Sequence, residues 1–166
     1  PREAARLASL RGLEWPQGAP DAFVETIVRL AARACGAPMA AVTLVDADRQ
    51  RFAAVVGFDA VDVPRSVAFC AHTIVGDQVL TVEDATRDAR FTDSPLVTGP
   101  AHVRAYAGAP LAVGDAPPIG ALCVFDVGPR RLTAAQLTAL EHLRDALAAY
   151  LPELRADTRD GERFSS

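Results

Sequence analysis

The stretch SVAFCAHTI, residues 66–74, sets Cys70 and His72 two positions apart in an apolar run. A thiol next to an imidazole can be a nucleophile with its base, half of a metal site, or part of a pocket wall. Ser66 offers an N-cap and Gly76 a stop, and alternation between them is weak, so a helix is predicted with Phe69, Cys70 and Ile74 on one side. Residues two apart on a helix lie about 200° from one another. Cys70 and His72 therefore point apart, and the expected state is a small buried thiol beside a capping or solvent-facing histidine. The three histidines, His72, His102 and His142, form no i, i+4 pair and have no acidic partner at ligand spacing, so no metal site is expected. Cys35, Cys70 and Cys123 are odd in number, widely spaced and without a C-x-x-C, which predicts reduced, buried thiols rather than a disulfide framework or a zinc knuckle.

The elements that must position these residues belong to a chain of 166 residues, about one domain, long enough to bury a core without disulfides or a structural metal. Half the residues are hydrophobic and 23% are charged, the composition of a soluble globular protein. A net charge of −4 gives no general attraction to phosphate backbones or anionic lipid, so neither nucleic acid nor a membrane surface is an expected partner. The longest apolar runs fall short of a bilayer span and no signal-peptide pattern opens the chain, so a cytoplasmic location is expected.

Leu7, Leu10 and Leu13 stand at helical spacing in a first segment that stops at Gly12 and Trp15-Pro16. After the breaker PQGAP, Asp21 can cap a second helix with Phe23, Ile27, Leu30 and Ala34 on one face, ending at Gly36 and Pro38. MAAVTLVD and RFAAVVG, joined by ADRQ, read as a β-hairpin, and HVRAYAGAPLAV with PIGALCVFDV reads as a second around GDAP. QVLTVED is a fifth, shorter strand. The strands are apolar at both alternating positions, which predicts a sheet covered on both faces. DATRDARFTDSPLVTGPA carries only Phe91, Leu96 and Val97 as large anchors and reads as a long lid or binding loop. Thr133-Ala-Ala-Gln136 is a capping box opening a last helix with Leu140, Leu143, Leu147, Tyr150 and Leu154 at three-four spacing. Runs of antiparallel strands with helices at both ends indicate one α+β domain over residues 1–154, with 155–166 as a disordered tail.

Taken in order, APMAAVTLVDADRQRF, SVAFCAHTI, VEDATRDARFTDSPLVTGP, VRAYAGAPL and IGALCVFDVGPRRLTAAQLTAL make the chain resemble a GAF domain. The likeness runs from about Leu7 to about Leu154 and is to the branch found at the sensory end of bacterial histidine kinases and diguanylate cyclases. It implies a central antiparallel sheet of five or six strands, with the first and last helices on one face. The SVAFCAHTI helix and the long loop then close a pocket on the other. In that frame Phe52, Phe69, Cys70, Phe91, Tyr106 and Cys123 are candidates for the pocket wall. Asp84, Asp88 and Arg104 are candidates for the polar groups that orient a ligand. The alternative is that the apolar set is core and the charged set a loop anchor, with Arg104 fixing Asp84 or Asp88.

The function this resemblance implies is a non-catalytic sensory module that binds an unidentified small molecule. It works as a homodimer whose leucine-striped terminal helices pass a signal to an output domain such as a histidine kinase or a diguanylate cyclase. No cofactor identity carries over. Two positions depart from the family: Arg51 stands where members commonly have tryptophan, and Ala105 where they have an aromatic, which is expected to open or dry another part of the sheet. Three other readings share the resemblance. One is an enzyme that reduces free methionine sulfoxide, whose cysteine motifs are not found around Cys35, Cys70 or Cys123. Another is a bilin or haem sensor, whose adjacent Cys-His pair is not matched by Cys70-Ala71-His72. The last is a structural dimerisation module, which shares every sequence feature with the sensor.

Overall fold

The computed structural model describes residues 1–13, 21–59 and 61–154. The Trp15-Pro16 stop, the PQGAP breaker and the tail from residue 155 lie outside the described residues. Among the described residues five α-helices and six strands follow in the order α1 (Arg2–Arg11), α2 (Ala22–Cys35), β1 (Met39–Val45), β2 (Arg49–Val56), β3 (Val63–Pro64), α3 (Phe69–Thr73), β4 (Leu80–Val82), α4 (Pro95–Thr98), β5 (Ala105–Leu111), β6 (Gly120–Asp126) and α5 (Ala134–Tyr150). The strands form one sheet in the order β3-β2-β1-β6-β5-β4, every pair antiparallel. Both predicted hairpins are present, and the connection through α3 carries the chain from one sheet edge, β3, to the other, β4, while the 83–104 segment joins the neighbouring strands β4 and β5.

Because side chains alternate along a strand, the central strands feed two separate cores. Ala40, Val42 and Leu44 of β1, with Leu122 and Val124 of β6, face α2 and α5, where Val28, Ala31, Leu140 and Leu147 are fully buried. Met39, Ala41 and Val45, with Ala121, Cys123 and Phe125, face α3 and the 83–104 segment. Between Val42 and Thr43 the register with β2 shifts, so that Ala53 bulges out of the ladder. The bulge re-phases β2: Gln50 and Phe52 lie on the α3 side before it, and Ala54 lies in the helical core after it.

Local chemistry explains the helix ends. Asp21 accepts from the backbone N–H of Phe23 and Val24, and Gly36 closes α2 at a φ of 58°, the left-handed conformation glycine adopts without strain. Thr133 and Gln136 form the capping box at 3.1 and 2.9 Å. The leucine stripes of both terminal helices are spent inside this chain: Leu10 and Leu13 join the helical core, as do Leu140, Leu147 and Leu154.

Four details differ from the sequence expectation. The buried face of α2 is Val24, Ile27, Val28, Ala31 and Cys35, so of the predicted face only Ile27 meets the core while Phe23, Leu30 and Ala34 are exposed, because the sheet docks on the neighbouring stripe. Ser66 does not cap the SVAFCAHTI helix; Arg65–Val67 forms a 3-10 turn, Ala68 is extended, and α3 starts at Phe69 with no side-chain cap. Pairing of Gln50 with Val63 adds a two-residue edge strand after the first hairpin. The long loop is also partly ordered. Asp84 caps a 3-10 turn at Ala85–Arg87, and Ser94 accepts from the Leu96 N–H to start α4 with Pro95 in its first turn.

Candidate functional site

The α3 face of the sheet is lined by aromatic rings. Phe69 stacks between Phe91, at 4.3 Å between centroids, and Tyr106, at 4.8 Å. Phe125 closes the far side, 5.3 Å from Tyr106, and Phe58 bridges from it to Phe52. Of the predicted wall residues, Phe69, Cys70, Phe91, Tyr106 and Cys123 are buried in this one cluster and half-buried Phe52 packs at its margin.

Threaded through the rings is a polar group that an ordinary hydrophobic core lacks. Tyr106 Oη lies 2.7 Å from Thr73 Oγ1 and 3.2 Å from Cys70 Sγ. Cys70 Sγ is 3.9 Å from Cys123 Sγ, which in turn donates to the Ala41 carbonyl at 3.4 Å. Gln50, fully buried, accepts the Cys70 backbone N–H on Oε1 at 3.2 Å, while its Nε2 has no hydrogen-bond partner. A buried donor left unsatisfied costs about 1–3 kcal/mol. Tyr106 reaches this position only because residue 108 is glycine: a Cβ there would stand 1.9 Å from Tyr106 Oη.

The electrostatics follow from this burial. Burial pushes the Cys123 thiol and the Tyr106 phenol well above their ordinary values, and Cys70 beside them adds to both shifts. Burial also raises Cys70, but hydrogen bonding with Cys123, Thr43 and Tyr106 outweighs it and leaves this thiol below its usual value. His72 takes no part. It lies outside the cluster with its ring edge-on to Phe91 at 5.1 Å, and burial, then the charge of Arg90, lower its pKa. Cys70 and His72 are thus separated by the helix, as their spacing predicts. Cys35 sits in the helical core with its thiol raised by burial. Among the described residues no cluster of three or more potential metal ligands occurs.

The predicted polar set is engaged in its own segment. Asp84 accepts from the Thr86 backbone N–H at 3.0 Å and hydroxyl at 2.6 Å, and the hydroxyl bond is the main cause holding its carboxyl below the usual range. Asp88 takes the backbone N–H of Arg90 and two bonds from its guanidinium, which lies 4.9 Å over the Phe91 ring. Arg104 donates to the carbonyls of Val97 and Val103 at 3.0 and 2.9 Å, so it ties α4 to the start of β5 through the backbone and not through either aspartate. Gln50 was missed by sequence reasoning. Its signal was an amide two residues before Phe52, in phase with it on the inward side of a strand.

Ala105 lines a separate cavity of about 160 Å³ on the helical side, between β4, β5 and the start of α5, where Ala107, Val124, Leu132 and Leu137 complete the apolar wall. Arg130 at its rim is held by the carbonyls of Cys35 and Gly36 and by Asp126.

The GAF domain family model matches residues 19–151. The chain belongs to the GAF family. It is 40% identical over 141 residues to a cyclic di-GMP phosphodiesterase of Pseudomonas aeruginosa, a match that covers 84% of this chain and 24% of that protein. The chain therefore spans about a quarter of that relative's length. The GAF domain of a phosphoenolpyruvate-protein phosphotransferase from Acinetobacter superposes with a TM-score of 0.66 at 17% identity, covering 93% of this chain and 97% of that one. A domain of a two-component sensor histidine kinase protein from Sinorhizobium meliloti superposes with a TM-score of 0.64 at 19% identity, covering 82% and 93%. These two superpositions carry the fold, a six-stranded antiparallel sheet with helices. GAF domains are sensory modules of signalling proteins, and this chain is one of them.

Proposed function

We propose that this GAF domain is a non-catalytic sensor that binds a small molecule with a flat apolar body and a hydrogen-bond acceptor between α3 and the sheet, and that it acts as a homodimer on an output domain. The orphaned Gln50 Nε2 carries this reading: an acceptor on the ligand would satisfy a donor that the folded chain leaves buried and unpaired, and the surrounding rings would cover the ligand's faces. Entry requires α3 to move, and α3 is a five-residue helix without a side-chain cap.

A route from α3 to the N-terminal helix supports the signalling part. Arg2 of α1 donates to the Ile74 carbonyl at the end of α3 at 2.8 Å, and Glu3 pairs at 2.6 Å with Arg65, just ahead of α3. Displacing α3 would therefore pull on α1. The dimer would form through the outer face of α2, where Phe23 and Leu30 remain 39% and 43% exposed, with Phe23 against Tyr150 of α5. The output domain would be of the class seen beside GAF domains: a cyclic dinucleotide phosphodiesterase or cyclase, or a histidine kinase.

Native mass spectrometry of the purified protein, beside a denaturing run, tests ligand and dimer together. Extra mass lost on denaturation, or a metabolite that raises the thermal midpoint of wild type but not of Gln50→Leu, is the expected result. A bare mass together with a metabolite screen that leaves the midpoint unmoved would turn the assignment to a structural dimerisation module.

A further inference from the structure

Cys70 and Cys123 are 53 residues apart in the chain, yet the fold brings their sulfurs to 3.9 Å from each other. We propose that they form a thiol redox site, which a peroxide oxidises to an intramolecular disulfide tying α3 to the middle of the sheet. The inference stands apart from the ligand reading, because its test uses no ligand. A disulfide needs the sulfurs at about 2 Å, and the two cysteines already face one another from elements packed in direct contact, α3 and β6. The third cysteine, Cys35, lies in the opposite core with its sulfur toward the Gln136 carbonyl.

The surroundings give the two sulfurs different parts. Cys70 Sγ lies within reach of the Tyr106 hydroxyl, which can donate to a thiolate, so Cys70 is the attacking sulfur. Cys123, turned toward the Ala41 carbonyl, keeps its proton and resolves. The Cys70 thiol gives up its proton, and the thiolate attacks one oxygen of the peroxide. The O–O bond breaks, and Cys70 becomes a sulfenic acid while the leaving hydroxide takes up that proton and departs as the first water. Cys123 sulfur then displaces the hydroxyl from Cys70 sulfur, the S–S bond forms, and the second water leaves with the Cys123 proton. The two thiols together lose two electrons and two protons, and hydrogen peroxide is reduced to two waters. Both sulfurs are fully buried, so the oxidant enters when α3 lifts; the segment directly after it, from Val75 at 74% accessible, is not packed over by the rest of the chain.

The arginines place each cysteine on its own tryptic peptide: residues 34–49, 66–87 and 105–130. The folded wild-type protein is treated with hydrogen peroxide, denatured in N-ethylmaleimide and digested. The expected product is peptide 66–87 joined to 105–130, about 2 Da lighter than the sum of the two, with two of the three thiols lost and recovered by dithiothreitol. Cys35 stays alkylated throughout. In Cys123→Ser the link disappears and Cys70 becomes labelled by dimedone. The proposal is overturned if Cys70 and Cys123 both remain alkylatable at peroxide doses that oxidise glutathione in the same tube. A link that uses Cys35, or that joins two chains, overturns it equally, and since the wild-type result decides, a misfolded variant leaves the test intact.

Discussion

Tyr106 shows how one residue type licenses another. Its ring folds back along β5 over residue 108, which brings Oη to Thr73 and Cys70, and only a residue without a Cβ leaves room for that path. Gly108→Ala is expected to swing Tyr106 out of the cluster, leave the Thr73 hydroxyl with the Phe69 carbonyl alone, and lower stability by about 1–3 kcal/mol. Urea denaturation measures this; an unchanged midpoint would mean that the tyrosine is not held as described. A glycine two residues after an aromatic on a predicted strand is visible in sequence, and it reads there as a backbone device. Its actual partner, the side chain folded over it, is not visible, because that depends on the rotamer of Tyr106 and on what α3 presents to it.

At the scale of elements, α1 is fastened by a charged clamp as well as by its leucines. Arg6 is 2% exposed and donates to Glu3 and to the Val45 carbonyl at the end of β1, while Arg65 reaches Glu3 from beside α3. Hydrogen bonds from Arg6 and then from Arg65 hold the Glu3 carboxyl well below the usual carboxylate range. The folded state thus binds this proton less tightly than the unfolded chain does. The clamp's contribution is complete above the ordinary glutamate value of about 4.3 and is lost as the pH falls from there toward the folded-state value. Glu3 is 48% exposed, so solvent screens the pair and the effect is local to α1. Hydrogen exchange of the α1 amides, corrected for the intrinsic rate, is expected to show protection that holds at neutral pH and falls below about pH 4. Glu3→Gln should remove that pH dependence, and a variant with the same fall would assign the effect elsewhere. The sequence shows Glu3 and Arg6 as an ordinary i, i+3 surface pair, since nothing local indicates that the β1–β2 end will cover Arg6.

On the scale of the whole molecule, one sheet with two buried faces joins the helical core to the aromatic core. Each central strand contributes to both through its alternating side chains, so loss of strand register melts both cores together. Leu140→Ala on the helical face and Phe69→Ala on the α3 face are expected to cost about 2–5 and 3–5 kcal/mol, each shifting a single cooperative transition. Following circular dichroism and tyrosine fluorescence in parallel checks this. An early fluorescence transition in Phe69→Ala, with helix content retained, would show that the α3 face opens on its own.

Much of this architecture is written locally. The Asp21 and Thr133 caps, the doubly apolar strands and the order of motifs along the chain determine the helices, the hairpins and the GAF family, because each signal needs only a few neighbouring residues to act. Most of the predicted wall residues cluster for the same reason: apolar positions on one strand face and one short helix meet whenever that helix docks. What the sequence could not determine are pairings set by register and docking. The bulge at Ala53 decides that Gln50 faces α3 and ends with an unpaired amide, and the docking angle of α3 decides that Cys70 meets Cys123 and Tyr106 rather than His72. These contacts join residues tens of positions apart, so their energies are decided by how the layers pack and not by any stretch of chain that could be read alone.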